Sequence, residues 1–271
     1  MTRLLLTGAA GRIGAALHER LPGYGWQLRT FDRVAGPEGA LGGVVGDLTR
    51  PADLDAALAG IEAIVHLAGQ PTEAPWPVLR EANVEGLVQL FEAARRAGVR
   101  RVVYASSNHA VGFTPLPDEP SAALPDDLPP RPDTLYGVTK VFGEALARYY
   151  VDRYGFQVAC LRIGTFDDRP RNRRARSTWL SPDDCARLVD AALRAPELEY
   201  AIVWGVSANA RRQWSDAGGR ALGYAPQDDA EAFAADLSDA AQPGDDRVGG
   251  EFTAARYGID EVEARWPTEN G

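Results

Sequence analysis

Five short apolar segments alternate with amphipathic, helix-like stretches in the first 163 residues, and this alternation is the strongest constraint on the fold. The apolar segments cover residues 3–7, 27–31, 63–67, 101–105 and 157–163. Strands that are apolar on both faces must be covered on both faces, and parallel strands need a crossover between them. The pattern therefore predicts an α/β fold, in which helices cover both sides of a doubly wound parallel sheet.

A glycine-rich loop follows the first predicted strand and leads into a predicted helix. Gly8, Gly11 and Gly14 would let the backbone turn tightly and approach a pyrophosphate, and Arg12 and Ile13 lie in the same loop. The amide hydrogens and the dipole at the start of a helix favour an anion at this point. The loop therefore predicts a dinucleotide site of Rossmann type.

Asp32 ends the second predicted strand. A carboxylate there accepts hydrogen bonds from the adenosine ribose hydroxyls and repels a 2'-phosphate, which favours NAD over NADP. Arg12 and Arg33 leave an alternative open, because each could contact a 2'-phosphate or simply be solvated. Further cofactor contacts are expected where the third and fourth strands end, with ordinary turns as the alternative, at Asp47, Leu48, Leu67, Ala68 and Gly69.

Tyr136 and Lys140 are four residues apart in a predicted helix, which places the phenol and the ammonium on one face. A neighbouring cation favours the phenolate, so we expect Lys140 to lower the pKa of Tyr136 from its ordinary value of about 10. Ser107 follows the strand at 101–105, where its hydroxyl could stabilise the oxygen of an alcohol during oxidation. These three side chains are the predicted catalytic residues.

The charge and the cysteine content restrict the partners and the compartment. A net charge of -9 and a pI near 5.0 argue against nucleic acid, because phosphate backbones are normally bound by a basic surface. Cys160 and Cys185 have neither metal-site nor disulfide spacing, so they are expected to be reduced and buried. No apolar run approaches the roughly 20 residues of a membrane helix. We therefore expect a soluble, cytoplasmic protein that binds no membrane and no metal.

The remaining organisation is less regular. Residues 114–133 contain seven prolines and are expected to form a loop over the edge of the sheet. The strand and helix pattern weakens after residue 163. The prediction is a single domain over 1–271, in which 1–163 mainly bind the dinucleotide and 164–271 mainly form a small C-terminal substrate lobe.

The glycine loop, Asp32, Ser107, Tyr136 and Lys140, in this order, resemble the extended branch of the short-chain dehydrogenase/reductase superfamily. Within it the chain is most similar to the uronate dehydrogenase family, in segments 106–109, 135–137, 162–164, 177–179 and 203–205. The resemblance implies oxidation of a hexuronic acid, such as glucuronate or galacturonate, at C1. Hydride would pass to NAD and an aldarolactone would be released.

The resemblance also implies individual roles. Tyr136 would be the base and Lys140 would hold the nicotinamide ribose. The sugar acid would be surrounded by Ser107, Asn108, His109 and Thr165, and Arg174 would bind its C6 carboxylate, since a planar guanidinium matches a carboxylate. The chain departs from the family pattern at Thr165 and Phe166, where Ser-Cys is preferred, and at Pro71, where a serine is expected.

Two other functions fit parts of the sequence. A nucleotide-sugar epimerase or dehydratase shares the fold, although the short C-terminal region leaves little room for a nucleotide pocket. A dinucleotide-sensing regulator without catalysis would not need Ser107, Tyr136 and Lys140 together. The helix over 137–154, with the one near 83–96, often pairs with a symmetry mate in this superfamily, so a homo-oligomer is also expected.

Overall fold

A seven-stranded parallel sheet forms the centre of the computed structural model, which describes residues 2–117, 123–238 and 240–266. The strands are β1 (Arg3–Thr7), β2 (Gln27–Asp32), β3 (Gly43–Val45), β4 (Ala63–His66), β5 (Arg101–Ser107), β6 (Gln157–Ile163), β7 (Thr165–Phe166), β8 (Trp179–Leu180) and β9 (Tyr200–Gly205). Strands β7 and β8 pair separately, and the others lie in the order β3-β2-β1-β4-β5-β6-β9. Because the order reverses beside β1, a crevice is expected between the carboxyl ends of β1 and β4.

Helices cover both faces of this sheet. They are α1 (Arg12–Arg20), α2 (Pro51–Leu58), α3 (Trp76–Leu79), α4 (Gly86–Ala97), α5 (Leu135–Tyr154), α6 (Ala175–Thr178), α7 (Pro182–Arg194), α8 (Ala217–Ala221) and α9 (Ile259–Arg265). A π-helical segment, Arg80–Glu85, precedes α4, and 3-10 helices cover Leu21–Tyr24, Asn108–Val111, Ala230–Asp236, Gly250–Thr253 and Ala255–Tyr257. Helices α1 and α7 pack together on one side of the sheet, whereas α2 and α4 pack together on the other.

Strand β1 shows how one segment supports two cores. Successive side chains of a strand point to opposite faces. Leu4 and Leu6 belong to the core under α1 and α7, whereas Leu5 belongs to the core under α2, α4 and α5, and all three are fully buried. The structure therefore confirms the predicted doubly wound parallel sheet and its central strands.

The main difference from the sequence-based expectation lies after residue 163. Strand β9 completes the main sheet, where it pairs with β6 in parallel from Val158↔Tyr200 to Ile163↔Gly205. Helix α7 packs beside α1 on one face of that sheet. Residues 182–205 are therefore part of the same α/β unit as the glycine loop, and not of a separate lobe. The segments that stand outside the main sheet in this region are β7, β8 and the C-terminal turns.

The described part of 114–133 contains neither a helix nor a named strand, in agreement with its prolines. Its backbone is held to the sheet by a buried arginine, since Arg162 Nη1 donates to the carbonyl oxygens of Asp126 and Leu128. In the described ranges, no helix is both long enough and apolar enough to cross a membrane.

Candidate active site

The loop between β1 and α1 has the geometry that its glycines predict. Gly8 has a φ of +72°, and a Cβ on it would lie 2.7 Å from the backbone nitrogen of Ala68. A Cβ on Gly14 would lie only 2.1 Å from the carbonyl oxygen of Gly8. Any side chain at either position would therefore push the loop away from β4 or from the start of α1. Helix α1 begins directly after this loop, at Arg12, and the start of a helix favours an anion.

A cavity of about 760 Å³ extends from this loop along the carboxyl ends of the strands. Its volume lies within the range of small-molecule and cofactor sites. Every residue predicted to bind the cofactor lines it, namely Gly8, Gly11, Arg12, Ile13, Gly14, Asp32, Asp47, Leu48, Leu67, Ala68, Gly69 and Lys140. The site therefore has the size, the glycine loop and the acidic residue that suit a dinucleotide.

Asp32 sits at the end of β2 with its carboxylate already oriented. One oxygen accepts the N–H of Ala10 at 3.0 Å, and the other accepts the N–H of Arg33 at 2.7 Å. These bonds hold the acid beside the glycine loop. Each carboxylate oxygen retains a second lone pair that could accept a ribose hydroxyl.

Arg12 forms an ion pair across the cavity. Its Nη2 lies 2.9 Å from Oδ1 of Asp167, which follows β7 and has a buried side chain. The guanidinium itself is two-thirds exposed. The sequence left two alternatives open for Arg12, a contact with a 2'-phosphate or a solvated side chain. The ion pair with Asp167 was not among them.

The start of α5 is fixed by two side chains outside the helix. The N-cap residue Thr134 accepts the N–H of Gly137 at 3.0 Å, and Glu73 accepts the N–H of Tyr136 at 2.6 Å. A carboxylate at a helix N-terminus also interacts favourably with the helix dipole. Together these contacts set the position of the Tyr136 ring, which lines the cavity and is largely buried.

Lys140 lies beside Tyr136, as the helical spacing predicts, but its ammonium donates its hydrogen bond to a backbone carbonyl group. Its Nζ is 5.3 Å from the centre of the Tyr136 ring and donates to the carbonyl oxygen of Ala105 at 2.8 Å. Burial raises the pKa of Tyr136 to about 12, although the hydrogen bond with Ser107 opposes the shift. The expected lowering of the pKa of Tyr136 was wrong for this structure, because burial raises this pKa and Lys140 is not among the groups that shift it.

Burial also lowers the pKa of Lys140 from 10.5 to about 8, against the opposing charge of Glu144. Between these two pH values the folded protein binds fewer protons than the unfolded chain, so stability rises with pH in this window. Lys140→Met removes the buried charge and should stabilise the fold near neutral pH by a few kcal/mol, less the lost hydrogen bond to Ala105. The gain should shrink as the pH rises from about 8 to 10.5.

Urea unfolding of both proteins near pH 7 and near pH 10 measures this effect. An equal difference in the free energy of unfolding at the two pH values would show that Lys140 does not titrate in this window. Activity should be lost in the variant at either pH, since the methionine has no ammonium.

The polar residues after β5 form one connected cluster. The Ser107 hydroxyl accepts the N–H of His109 at 3.2 Å and lies 3.3 Å from Oδ1 of Asn108. Asn108 Nδ2 donates to the carbonyl oxygen of Val248 at 2.9 Å, and His109 Nδ1 lies 2.8 Å from Oδ2 of Asp133. All three predicted residues, Ser107, Asn108 and His109, line the cavity.

Thr165 and Arg174 are not among the residues that line this cavity, but they are linked to it. Arg174 donates from Nη1 to the Thr165 hydroxyl at 3.2 Å and from Nη2 to the Val248 carbonyl at 2.6 Å. The same carbonyl accepts from Asn108. The C-terminal segment thus joins the predicted sugar-binding residues. Two of the five N–H groups of Arg174 are used in these bonds.

Some residues of the site have no marked signal in the sequence. Asp133 lies in the proline-rich segment, and Glu73 lies in the loop after β4, yet both contact the catalytic helix or its neighbours. Thr134 was detectable as an N-cap, since a threonine often precedes a helix. At the family departures, Pro71 and Phe166 both line the cavity, and neither side chain offers a hydrogen bond.

Comparisons with known proteins agree with this geometry. Residues 4–167 match the model of the NAD dependent epimerase/dehydratase family. A uronate dehydrogenase from Agrobacterium fabrum is 43% identical over 90% of this chain and 92% of its own. An NAD-dependent glucose-6-phosphate dehydrogenase from Haloferax volcanii is 37% identical over 85% of this chain and 95% of its own. A solved structure of a mutant uronate dehydrogenase from Agrobacterium tumefaciens complexed with NAD has a TM-score of 0.86 and 41% identity, and covers 93% of this chain and 97% of that one.

Proposed function

The chain belongs to the NAD dependent epimerase/dehydratase family and within it to the uronate dehydrogenases, and on this premise we propose how its own residues oxidise a hexuronic acid at C1. The observation that carries the proposal is a single cavity lined by the glycine loop, Asp32, Ser107, Tyr136 and Lys140. The substrate is a uronate such as glucuronate or galacturonate, and the product is an aldarolactone. NAD, when bound, supplies the acceptor for the hydride from C1.

Tyr136 removes the proton of the anomeric hydroxyl while the C1–H bond breaks. Ser107 donates a hydrogen bond to the oxygen that becomes the lactone carbonyl oxygen, and this bond stabilises the charge that develops there. The reaction balances because the uronate loses one hydride and one proton, which become NADH and a proton. Lys140 binds the nicotinamide ribose, and its ammonium favours the phenolate form of Tyr136, which accepts the proton of the anomeric hydroxyl.

The raised pKa of Tyr136 is compatible with this role. Tyr136 must lose its own proton before it can act as a base, and a phenolate with a raised pKa then accepts the substrate proton with a larger driving force. The positive charge of a bound nicotinamide would favour the phenolate further. The hydrogen bond with Ser107 already lowers the pKa of Tyr136 against the effect of burial.

Arg174 selects the sugar acid. Its guanidinium is fixed by Thr165 and by the Val248 carbonyl, so a carboxylate would meet a donor group that is already oriented. Asn108 and His109 bind the ring hydroxyls. Neutral and phosphorylated sugars lack a carboxylate at C6, so they should be oxidised less efficiently than uronates.

The test is a comparison of NADH formation from glucuronate, galacturonate, glucose, L-arabinose and glucose 6-phosphate, each with NAD or NADP. Uronates with NAD should be the best substrates. Arg174→Ala should raise KM for the uronates roughly 10- to 100-fold, because a hydrogen bond to a charged group contributes about that much to binding. KM for neutral sugars should change little. Faster oxidation of glucose 6-phosphate than of any uronate would contradict the proposed substrate.

A neighbouring arginine provides the control. Arg169 and Arg174 both lie in the arginine-rich segment 169–176, and the Arg169 guanidinium packs over the Phe233 ring at 5.6 Å. Arg169→Ala should leave KM for the uronates nearly unchanged. If both substitutions raised KM equally, the effect would reflect the general positive charge of the segment and not a carboxylate site at Arg174.

We further propose a cytoplasmic homo-oligomer in which residues 1–163 mainly bind NAD and 164–271 mainly shape the substrate side. Val138 and Tyr149 on α5 are large exposed apolar side chains, which supports an interface on this helix. Cys160 and Cys185 are free and buried, as suits a reducing compartment. Light scattering of the purified protein measures the oligomeric state, and a monomer would contradict this part of the proposal.

A further inference from the structure

Asp133 is a buried carboxylate that contacts a residue of the sugar side of the site. Its Oδ2 lies 2.8 Å from Nδ1 of His109, and its side chain has no exposed surface. The Thr134 hydroxyl also bonds to this carboxylate, since it donates to Oδ1 at 3.0 Å. Asp133 does not line the cavity, whereas His109 does. Asp133 can therefore act on a substrate through His109, while its charge also raises the pKa of Tyr136.

The fold provides a socket for this carboxylate. A Cβ on Gly112 would lie 1.9 Å from Oδ2 of Asp133, and a Cβ on Gly249 would lie 1.8 Å from the same atom. The two glycines are joined, because the N–H of Gly249 donates to the carbonyl oxygen of Gly112 at 2.8 Å. Three separate segments thus leave room for one oxygen atom beside the His109 ring. Such a socket restricts Asp133 to one position.

The bond between the two side chains determines which ring nitrogen carries the proton. An ionised carboxylate can only accept hydrogen bonds, so Nδ1 of His109 must be the donor. In a neutral imidazole, Nε2 then has no proton and is an acceptor. The ring is also held between Phe252, at 4.2 Å between ring centres, and Tyr136, at 5.9 Å. Both its orientation and its tautomer are therefore constrained.

We propose that Asp133 is a positioning residue for His109. It holds the proton of the ring on Nδ1, so that the unprotonated Nε2 accepts a hydrogen bond from a hydroxyl group of the sugar. This proposal rests on the proposed oxidation of a uronate. The proposal also specifies the direction of one hydrogen bond in the site, since the ligand group that faces His109 must be a donor. A sugar with a methoxy or fluoro group at that ring position could not donate and should bind poorly.

Asp133→Asn tests the direction of this hydrogen bond with little change in size. The asparagine amide can donate to Nδ1, which would move the ring proton to Nε2 and make that atom a donor. We expect kcat/KM for the uronate to fall roughly 10- to 100-fold, as is typical when the partner that orients a functional histidine is changed. Affinity for NAD should change little, because Asp133 does not line the cavity.

Nitrogen-15 NMR of the histidine rings gives a readout that a purely structural role would not move. The chain has three histidines, and His18→Gln and His109→Gln would assign their signals. In the wild type we expect His109 to be protonated at Nδ1 alone, and in Asp133→Asn at Nε2. Protonation of both nitrogens in the wild type, or at Nε2 alone, would overturn the proposal.

The wild-type spectrum needs no variant, so the proposal stays testable if Asp133→Asn does not fold. It also separates this proposal from the function on which it rests. If no uronate is oxidised while His109 has the expected tautomer, the proposed substrate fails and the positioning contact stands. If uronates are oxidised but Asp133→Asn keeps both the wild-type tautomer and the wild-type kcat/KM, the role of Asp133 is wrong.

Discussion

Tyr136→Phe should lower kcat for uronate oxidation by about 10³-fold, while binding of NAD and thermal stability remain close to those of the wild type. The substitution removes one oxygen atom, and general-base catalysis contributes roughly 10²- to 10⁴-fold. The backbone of Tyr136 stays anchored through Glu73, so the helix should not move. Because the phenol acts on the reacting hydroxyl, the loss should appear in kcat and in kcat/KM alike.

Tyr104 provides a matched control. Lys140 Nζ lies 5.3 Å from the centre of the Tyr104 ring, the same distance as to that of Tyr136. Tyr104 is in the core and is not among the residues that line the cavity. Tyr104→Phe should therefore leave kcat within a few-fold of the wild-type value. A comparable loss in both variants would mean that kcat responds to the surroundings of Lys140 and not to a base at Tyr136.

The sequence signals for the predicted residues that line the cavity are local ones. Gly8 and Gly14 precede and begin a helix, Asp32 ends the next strand, and four-residue spacing brings Tyr136 and Lys140 to one face. Each of these relations holds within a single strand, turn or helix, so it is visible in the order of residues. The structure places them in one cavity because the parallel strands bring their carboxyl ends to one edge.

What the sequence did not reveal depends on contacts between distant segments. Asp133 reaches His109 only because glycines at 112 and 249 leave space, and Glu73 reaches the start of α5 across the crevice. The pKa of Tyr136 was misjudged for the same reason, since helical spacing shows the nearby lysine but not the surrounding burial. Strand β9 has an apolar run, but the polar residues before it obscured its place in the sheet.

The other large effect is expected in stability, from the buried pair of Glu144 and Arg162. The pair is bidentate, with Nε and Nη2 of the arginine each 2.9 Å from a carboxylate oxygen, and both side chains are almost fully buried. The Ser106 hydroxyl also donates to Glu144 at 2.6 Å. Glu144→Ala would leave a buried guanidinium without its counter-ion, so it should lower the free energy of unfolding by about 3–5 kcal/mol.

Urea denaturation measures this loss, and a double variant identifies its cause. Glu144→Leu combined with Arg162→Met removes both charges and should recover most of the stability, because apolar residues of similar size often replace buried pairs at little cost. Arg148→Ala, which breaks the exposed pair with Asp152 on the same helix, should have hardly any effect. If the double variant were as unstable as Glu144→Ala, the loss would come from packing or from the lost bonds between Arg162 and the carbonyl groups of Asp126 and Leu128. Recovery would instead show that the unpaired charge of Arg162 is what destabilises the single variant.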